Sequence, residues 1–126
     1  MKKILIVEDD LDIIDVLRII LEDKFEVLEA HNGIKAINII YEQIPDLIVL
    51  DITLPEMNGY QVCRLLKEDE IYQHIPIIIL TSKSQKRDRF WGIEAGADKY
   101  ITKPFDADDI IASIEELLIK KGKLEE

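Results

Sequence analysis

The length of 126 residues suits one domain with its own hydrophobic core, and a hydrophobic content of 48% excludes a disordered chain. The formal net charge of −10 argues against direct binding of nucleic acid, which requires a basic surface. The single cysteine, Cys63, excludes an intramolecular disulfide and is typical of a reducing compartment.

The N-terminal segment is not expected to be a targeting or membrane signal. Lys2 and Lys3 are followed by only four apolar residues and then by acids, which is too short for a signal peptide or a membrane span. We therefore expect a cytoplasmic protein without a membrane segment. The expected domain covers residues 1–121, and residues 122–126 are expected to be a flexible tail or the start of a linker.

Four short apolar runs without polar alternation predict parallel strands that are covered on both faces. In chain order, polar residues follow these runs at 8–10, 51, 81–82 and 103. A further run at 25–28 is shorter and has charged neighbours, so we expect it at an edge of the sheet. Because helical segments alternate with these runs, the chain is predicted to be a doubly wound α/β domain.

The predicted helices span about residues 12–22, 33–41 and 60–68, a fourth lies between 83 and 95, and a fifth follows Asp106 as its N-cap. The first helix has one polar stripe and is predicted to be buried elsewhere. The fourth helix is strongly polar with a thin apolar face. We expect it to be the least anchored helix, since helices in proteins are stabilised mainly by packing.

The ends of the predicted strands indicate a functional site. In a parallel sheet the carboxyl ends of the strands share one edge, where ligands bind. Glu8, Asp9, Asp51, Thr81 and Lys103 should therefore converge. Neighbouring carboxylates repel by about 3–4 kcal/mol at an effective dielectric near 20, and Mg²⁺ is the natural cation to offset this. For any one acid at residues 8–10 the alternative is a simple helix start, where acids are favoured.

Asp51 is the best candidate nucleophile at this edge. It ends a buried strand, and carboxylates form aspartyl-phosphate intermediates. Phosphoryl transfer requires mainly positioning and neutralisation of charge, which Mg²⁺, Lys103 and the Thr81 hydroxyl would supply. The alternatives are that Lys103 is a solvated lysine and that Thr81 is an ordinary β-branched strand residue.

Five motifs in order resemble the receiver domains of two-component response regulators, of the chemotaxis-regulator type, over residues 2 to about 120. The motifs are Ile-Leu-Ile-Val-Glu-Asp-Asp ending at Asp10, Pro-Asp-Leu-Ile-Val-Leu-Asp ending at Asp51, Leu54-Pro55 with Gly59, Leu80-Thr81-Ser82, and Ala95 to Phe105 with Lys103-Pro104. The resemblance implies a flavodoxin-like (βα)5 three-layer sandwich with a five-stranded parallel sheet in the order 2-1-3-4-5.

The resemblance also implies a role for each site residue. Asp51 would accept a phosphoryl group from a sensor histidine kinase, with Lys103 as a catalytic partner that has a cis bond to Pro104. The implied Mg²⁺ ligands are Glu8, Asp9, Asp51 and the backbone carbonyl of Thr53. Thr81 and Tyr100 match the switch pair, and Thr53 and Lys83 occupy positions that modulate the lifetime of the phosphoryl group.

A signalling switch rather than an enzyme is therefore implied, with self-catalysed phosphotransfer and autodephosphorylation only. The switched face would be the fourth helix, the fifth strand and the fifth helix, read by a downstream protein or a C-terminal output domain. The protein would be a monomer or a phosphorylation-dependent dimer. Trp91 and Ser113 stand where DNA-binding regulators usually carry basic residues, so that dimer face is not expected in its usual form.

Two rival classes fit the sequence less well. A phosphatase of the haloacid dehalogenase type needs a second acid two residues after the nucleophile, where this chain has Thr53, and it needs a cap domain. A flavin-binding module needs a phosphate loop after the first strand, where this chain has acids. Asp10 is expected to be an outer acid or a cap, Cys63 an inert core residue, and His31 and His74 solvent-facing.

Overall fold

Strands and helices alternate along the chain in the computed structural model, which describes residues 1–54, 57–82 and 95–125. The elements are β1 Lys3–Val7, α1 Leu11–Leu21, β2 Glu26–Ala30, α2 Gly33–Gln43, β3 Leu47–Asp51, α3 Gly59–Lys67, β4 Ile77–Thr81, β5 Lys99–Thr102 and a C-terminal helix, Ala107–Lys120.

The five strands form one parallel sheet in the order β2-β1-β3-β4-β5, as the resemblance implied. The predicted edge position of β2 is confirmed. Val7 pairs with Leu50 and Asp51 with Leu80, so β1, β3 and β4 end at nearly the same level of the sheet. We call this end of the sheet the carboxyl edge and the opposite end the amino edge.

Two apolar clusters cover the two faces of the sheet and explain the continuous apolar runs. Ile4 and Ile6 of β1 pack into the cluster formed with α1 and the C-terminal helix. Leu5 and Val7 point the other way, into the cluster formed with α2 and α3. Since successive strand residues face opposite sides, a strand covered on both faces must be apolar throughout. The predicted three-layer α/β sandwich is confirmed.

Polar side chains begin three of the helices. Asp10, Asn32 and Asn58 accept hydrogen bonds from backbone N–H groups in the first turns of α1, α2 and α3. The expected cap role of Asp10 is confirmed, since its Oδ1 lies 2.9 Å from the Asp12 amide nitrogen. Asp106 occupies the N-cap position of the C-terminal helix as predicted, but its side chain makes no capping hydrogen bond.

Two details of the predicted elements are wrong. The first helix is not buried outside its polar stripe: Val16 and Ile19 are exposed, with Ile19 at 73%. β2 runs two residues beyond its predicted end, because Glu29 and Ala30 pair with Ile6 and Val7 of β1.

The predicted fourth helix lies mainly at residues 83–94, outside the described part of the chain. Within the described ranges, none of the helices combines the length and the apolar character that crossing a membrane would require.

Candidate functional site

The carboxyl edge brings three acidic side chains together. Glu8 follows β1 directly, and Asp51 is the last residue of β3. Both side chains are buried, while Asp9 is exposed. One carboxylate oxygen from each of Glu8, Asp9 and Asp51 lies within 4.8 Å of the other two. The structure therefore places together the acids that the sequence reasoning expected to converge.

Glu8 is held by the backbone that follows it. Its Oε2 accepts hydrogen bonds from the Asp9 N–H at 3.1 Å and the Asp10 N–H at 3.2 Å. Its Oε1 accepts a hydrogen bond from the Lys103 ammonium group at 2.9 Å. Both oxygens are thus engaged, which fixes the carboxylate within the site.

Lys103 connects two of the acids. Its Nζ lies 2.9 Å from Glu8 Oε1 and 3.3 Å from Asp51 Oδ1. Burial alone would lower the pKa of Lys103, but the hydrogen bond to Glu8 and the charges of both carboxylates raise it above its usual value. Its backbone N–H donates to the Thr81 carbonyl, and the implied cis bond to Pro104 is present. Lys103 therefore stays charged between the two acids.

The site holds more negative charge than Lys103 offsets. Burial raises the pKa of Glu8 to about 7, and the neighbouring Asp51 charge adds to this, although the hydrogen bond from Lys103 opposes it. Carboxylates at this separation repel by about 3–4 kcal/mol at an effective dielectric near 20. Three clustered carboxylates with a single bound ammonium group are a donor set of hard oxygens, which suits Mg²⁺.

Asp51 is oriented by contacts on both of its oxygens. Its Oδ1 faces Lys103, and its Oδ2 accepts a hydrogen bond from the Thr53 hydroxyl at 3.2 Å. The start of α3 packs tightly on the same residue: a Cβ added to Gly59 would lie 2.5 Å from the Asp51 carbonyl oxygen. Only glycine permits this close approach, so the helix start is fixed relative to Asp51.

The two residues of the expected switch pair lie on β4 and β5. Thr81 ends β4, is buried, and pairs in register with Thr102. Tyr100 is half-buried, and its hydroxyl lies 2.9 Å from the hydroxyl of Tyr60 on α3. The sequence reasoning missed Tyr60, because no spacing rule relates it to a residue 40 positions away. Lys83 falls outside the described residues.

Cys63, His31 and His74 lie away from the three acids. Cys63 is buried, and its thiol donates to the Ala95 carbonyl oxygen at 3.3 Å. Burial raises the pKa of Cys63 to about 11, which keeps the thiol neutral and unreactive, as expected. His31 and His74 are exposed, as predicted.

Comparison with known proteins gives consistent results. A family model of the response regulator receiver domain matches residues 4–115. The chain is 39% identical over 125 residues to the DNA-binding dual master transcriptional regulator RpaA of Synechocystis sp., covering 98% of this chain and 52% of that protein. The chain spans about half the length of the transcriptional regulators it matches.

Solved structures of receiver domains share the fold. The signal receiver domain of a signal transduction histidine kinase from Syntrophus aciditrophicus has a TM-score of 0.91 and 36% identity, over 99% of this chain and 96% of that chain. The receiver domain of a sensor histidine kinase from Pseudomonas aeruginosa has a TM-score of 0.84 and 30% identity, over 96% of this chain and 98% of that chain. That structure holds a magnesium ion in its active site cleft.

The sheet order, the three clustered acids and the matched family model agree with one another. They describe the chain better than a haloacid dehalogenase-type phosphatase or a flavin-binding module does. The chain belongs to the response regulator receiver domain family of two-component signalling systems.

Proposed function

We propose that Asp51 accepts a phosphoryl group from a sensor histidine kinase in a Mg²⁺-dependent reaction, and that this modification switches a protein-binding face. One observation carries the proposal. The buried Asp51 carboxylate lies within 4.8 Å of carboxylate oxygens of Glu8 and Asp9 and 3.3 Å from the Lys103 ammonium group. A carboxylate so placed at the end of a rigid strand is a nucleophile with charge-stabilising groups around it.

The reaction is a displacement at phosphorus. A carboxylate oxygen of Asp51 attacks the phosphorus of a phosphohistidine, the P–N bond breaks, and its electron pair returns to the imidazole of the donor. The product is an aspartyl phosphate. Lys103 neutralises charge on one phosphoryl oxygen, and the Thr81 hydroxyl donates to another. Both residues lie at the same edge of the sheet as Asp51.

The acidic cluster fits Mg²⁺ by the chemistry of its donors. Glu8, Asp9, Asp51 and the backbone carbonyl of Thr53 would hold the ion, which when bound supplies positive charge to the phosphoryl oxygens. Glu8 also accepts hydrogen bonds from Lys103 and from the backbone N–H groups of residues 9 and 10, and these bonds orient its carboxylate. Thr53 and Lys83 are proposed to modulate hydrolysis of the aspartyl phosphate, and the Thr53 hydroxyl contact with Asp51 supports this for Thr53.

The switch is proposed to follow from the added charge. A phosphoryl group on Asp51 requires new donors, and Thr81 supplies one by moving toward it while the Tyr100 ring occupies the inward position. The face that changes comprises the predicted fourth helix, β5 and the C-terminal helix. A downstream protein or a C-terminal output domain would bind there.

An exposed apolar surface beside the site supports a protein as the phosphoryl donor. Leu11, Val16 and Ile19 of α1 are exposed large hydrophobic residues. A cleft of about 490 Å³ lies between this helix and the segment after β5, lined in part by Val16, Lys103 and Phe105. Exposed apolar surface next to a reactive group is typical of a protein-docking site.

The domain bounds, the cellular location and the oligomeric state are proposed here as the sequence predicts them. We propose a receiver domain over residues 1–121, with 122–126 as a tail or linker, in a cytoplasmic protein that is a monomer or a phosphorylation-dependent dimer. Ser113, where DNA-binding regulators carry a basic residue, is buried on the C-terminal helix. The matched transcriptional regulator is DNA-binding by name, so the absence of nucleic-acid binding by this chain stays a prediction.

Intact-mass spectrometry tests the proposal with acetyl phosphate as a small-molecule donor. We expect one phosphoryl adduct on the wild-type protein in Mg²⁺, none in EDTA, and none on Asp51→Asn in Mg²⁺. Asp46→Asn is a matched control, since Asp46 lies at the amino edge, where its carboxylate accepts the Lys3 N–H at 2.7 Å. No adduct on the wild type, or an adduct that persists on Asp51→Asn, would reject Asp51 as the phosphoryl acceptor.

A further inference from the structure

Tyr60 lies at the start of α3, which is hydrogen-bonded to the chain just after the strand that carries Asp51. It is the second residue of α3 and follows Gly59, whose N–H donates to the Ile52 carbonyl at 3.1 Å. A capping box between Asn58 and Gln61 fixes the same turn, with N···O distances of 2.9 and 3.0 Å. The backbone of Tyr60 is therefore held in a constant position relative to Asp51.

The hydroxyl of Tyr60 meets the hydroxyl of Tyr100. The two oxygens are 2.9 Å apart, and both rings pack against the apolar cluster on the α2–α3 face of the sheet. Tyr100 pairs with Ile79 on β4, and Thr81 follows two residues later. The hydroxyl pair thus joins α3 to β5 across β4, next to the residues of the proposed switch.

The contact between the two hydroxyl groups also shows where the Tyr100 ring lies. Its hydroxyl points toward the first turn of α3, which leaves directly from the loop after Asp51. The ring is half-buried against the core rather than extended into solvent. We take this half-buried ring position to be the inward position of the proposed switch.

We propose that Tyr60 is a positioning residue for Tyr100: its hydroxyl holds the Tyr100 ring inward and ties that position to the loop that follows Asp51. This inference rests on the proposed function, because it assigns a regulatory effect to the switch residue. A net hydrogen bond in a half-buried setting changes a population about 2- to 10-fold. A Tyr100 ring turned outward would lose this contact, so removal of the Tyr60 hydroxyl should make the switched state harder to reach by that factor.

Phenylalanine variants separate the hydroxyl from the ring. Tyr60→Phe keeps the apolar packing and removes only the hydroxyl, so the fold is retained. Tyr41→Phe is a matched control, because Tyr41 is a half-exposed tyrosine whose ring contacts Tyr72 at a centroid distance of 5.0 Å, away from the acids. Tyr100→Phe and the double variant complete a cycle that isolates the coupling between the two hydroxyls.

The experiment is a beryllofluoride titration in Mg²⁺, followed by the backbone amide resonances of Thr81 and Thr102 in nitrogen-15 NMR spectra. We expect the midpoint concentration to rise about 2- to 10-fold in Tyr60→Phe and to stay unchanged in Tyr41→Phe. In the Tyr100→Phe background, adding Tyr60→Phe should shift the midpoint less than it does in the wild type, since the contact between the two hydroxyls is already gone.

Two results would overturn the inference alone: a wild-type midpoint for Tyr60→Phe, or the same shift from Tyr60→Phe in both backgrounds. A lower unfolding midpoint in denaturant with an unchanged beryllofluoride midpoint would show a purely structural contact and would also overturn it. A wild-type protein that does not respond to beryllofluoride at all would instead contradict the proposed function, and this inference with it.

Discussion

The two ends of the sheet hold their charged groups in opposite ways. At the amino edge, Asp98 precedes β5, and its carboxylate accepts hydrogen bonds from the Ile77 N–H at 2.8 Å and the Lys67 ammonium at 3.3 Å. Lys67 also donates to the carbonyls of Gln73 at 3.1 Å and Ile75 at 2.9 Å. This acid and this base are paired with each other and with backbone groups.

At the carboxyl edge, the acids outnumber their cation. Glu8, Asp9 and Asp51 lie close together, and Lys103 contacts two of them. The raised pKa of Glu8, which follows first from its burial and then from the Asp51 charge, is a sign of this excess.

The difference between the two edges separates a stabilising charge cluster from a functional one. A charge cluster in which every group has a partner stabilises the native state and needs no ligand. A cluster with surplus buried charge of one sign is a cost to the native state, and a bound ion of opposite charge offsets that cost.

The largest effect is expected at the amino edge, from Lys67→Met. The substitution keeps most of the aliphatic side chain and removes the ammonium group, which leaves Asp98 without its cation and two carbonyls without a donor. We expect the free energy of unfolding to fall by about 1.5–3 kcal/mol in a urea titration.

Lys99→Met is the matched control for this substitution. Lys99 pairs with Glu116 at 3.6 Å, and both side chains are well exposed. Exposed ion pairs contribute about 0.2–1 kcal/mol, so the control should lose clearly less stability than Lys67→Met. Equal losses in the two lysine variants would show that the Lys67–Asp98 pair has no special stabilising role.

A smaller effect is expected from Cys63, which lies one turn before Lys67 on α3 and is buried without charge. Its pKa is raised to about 11 in the folded protein, chiefly by burial, from a model-compound value of 9.0. Above pH 9 the unfolded chain therefore loses the thiol proton first, so the unfolded state binds fewer protons and stability falls as pH rises toward 11.

The measurement compares the wild type with Cys63→Ala, which lacks the titrating group. Between pH 8.5 and pH 10 the wild type should lose about 1 kcal/mol more unfolding free energy than the variant. Parallel pH profiles for the two proteins would contradict this account of Cys63. A confirmed difference would show that burial of the Cys63 side chain lowers the stability of the native state only when the thiol loses its proton.

The sequence predicted the carboxyl edge well because its logic does not depend on side-chain detail. Parallel strands end at one edge whatever the loops do, so Glu8, Asp51 and Lys103 had to meet once the apolar runs were read as strands. The strand order itself came from the resemblance to a family, and the structure confirms it.

Other features could not be predicted because they depend on contacts between elements distant in the chain. The hydroxyl pair of Tyr60 and Tyr100 and the ion pair of Lys67 and Asp98 join residues 40 and 31 positions apart. Neither contact has a periodic signature. The exposure of Ile19 was missed for a related reason: a helix that is apolar on two faces does not reveal by its pattern which face meets the core.

The contrast between the two edges is tested most directly by Asp51→Asn and Asp98→Asn, with unfolding free energies measured beside the wild type in EDTA and then in increasing Mg²⁺. In EDTA we expect opposite signs: Asp51→Asn gains about 1–2 kcal/mol because repulsion is removed, and Asp98→Asn loses about as much because Lys67 loses its partner. Mg²⁺ should then stabilise the wild type and Asp98→Asn alike, by about 2.7 kcal/mol at 100 times the dissociation constant, and stabilise Asp51→Asn less. A loss of stability for Asp51→Asn in EDTA, or a wild-type stability that does not change with Mg²⁺, would contradict the account.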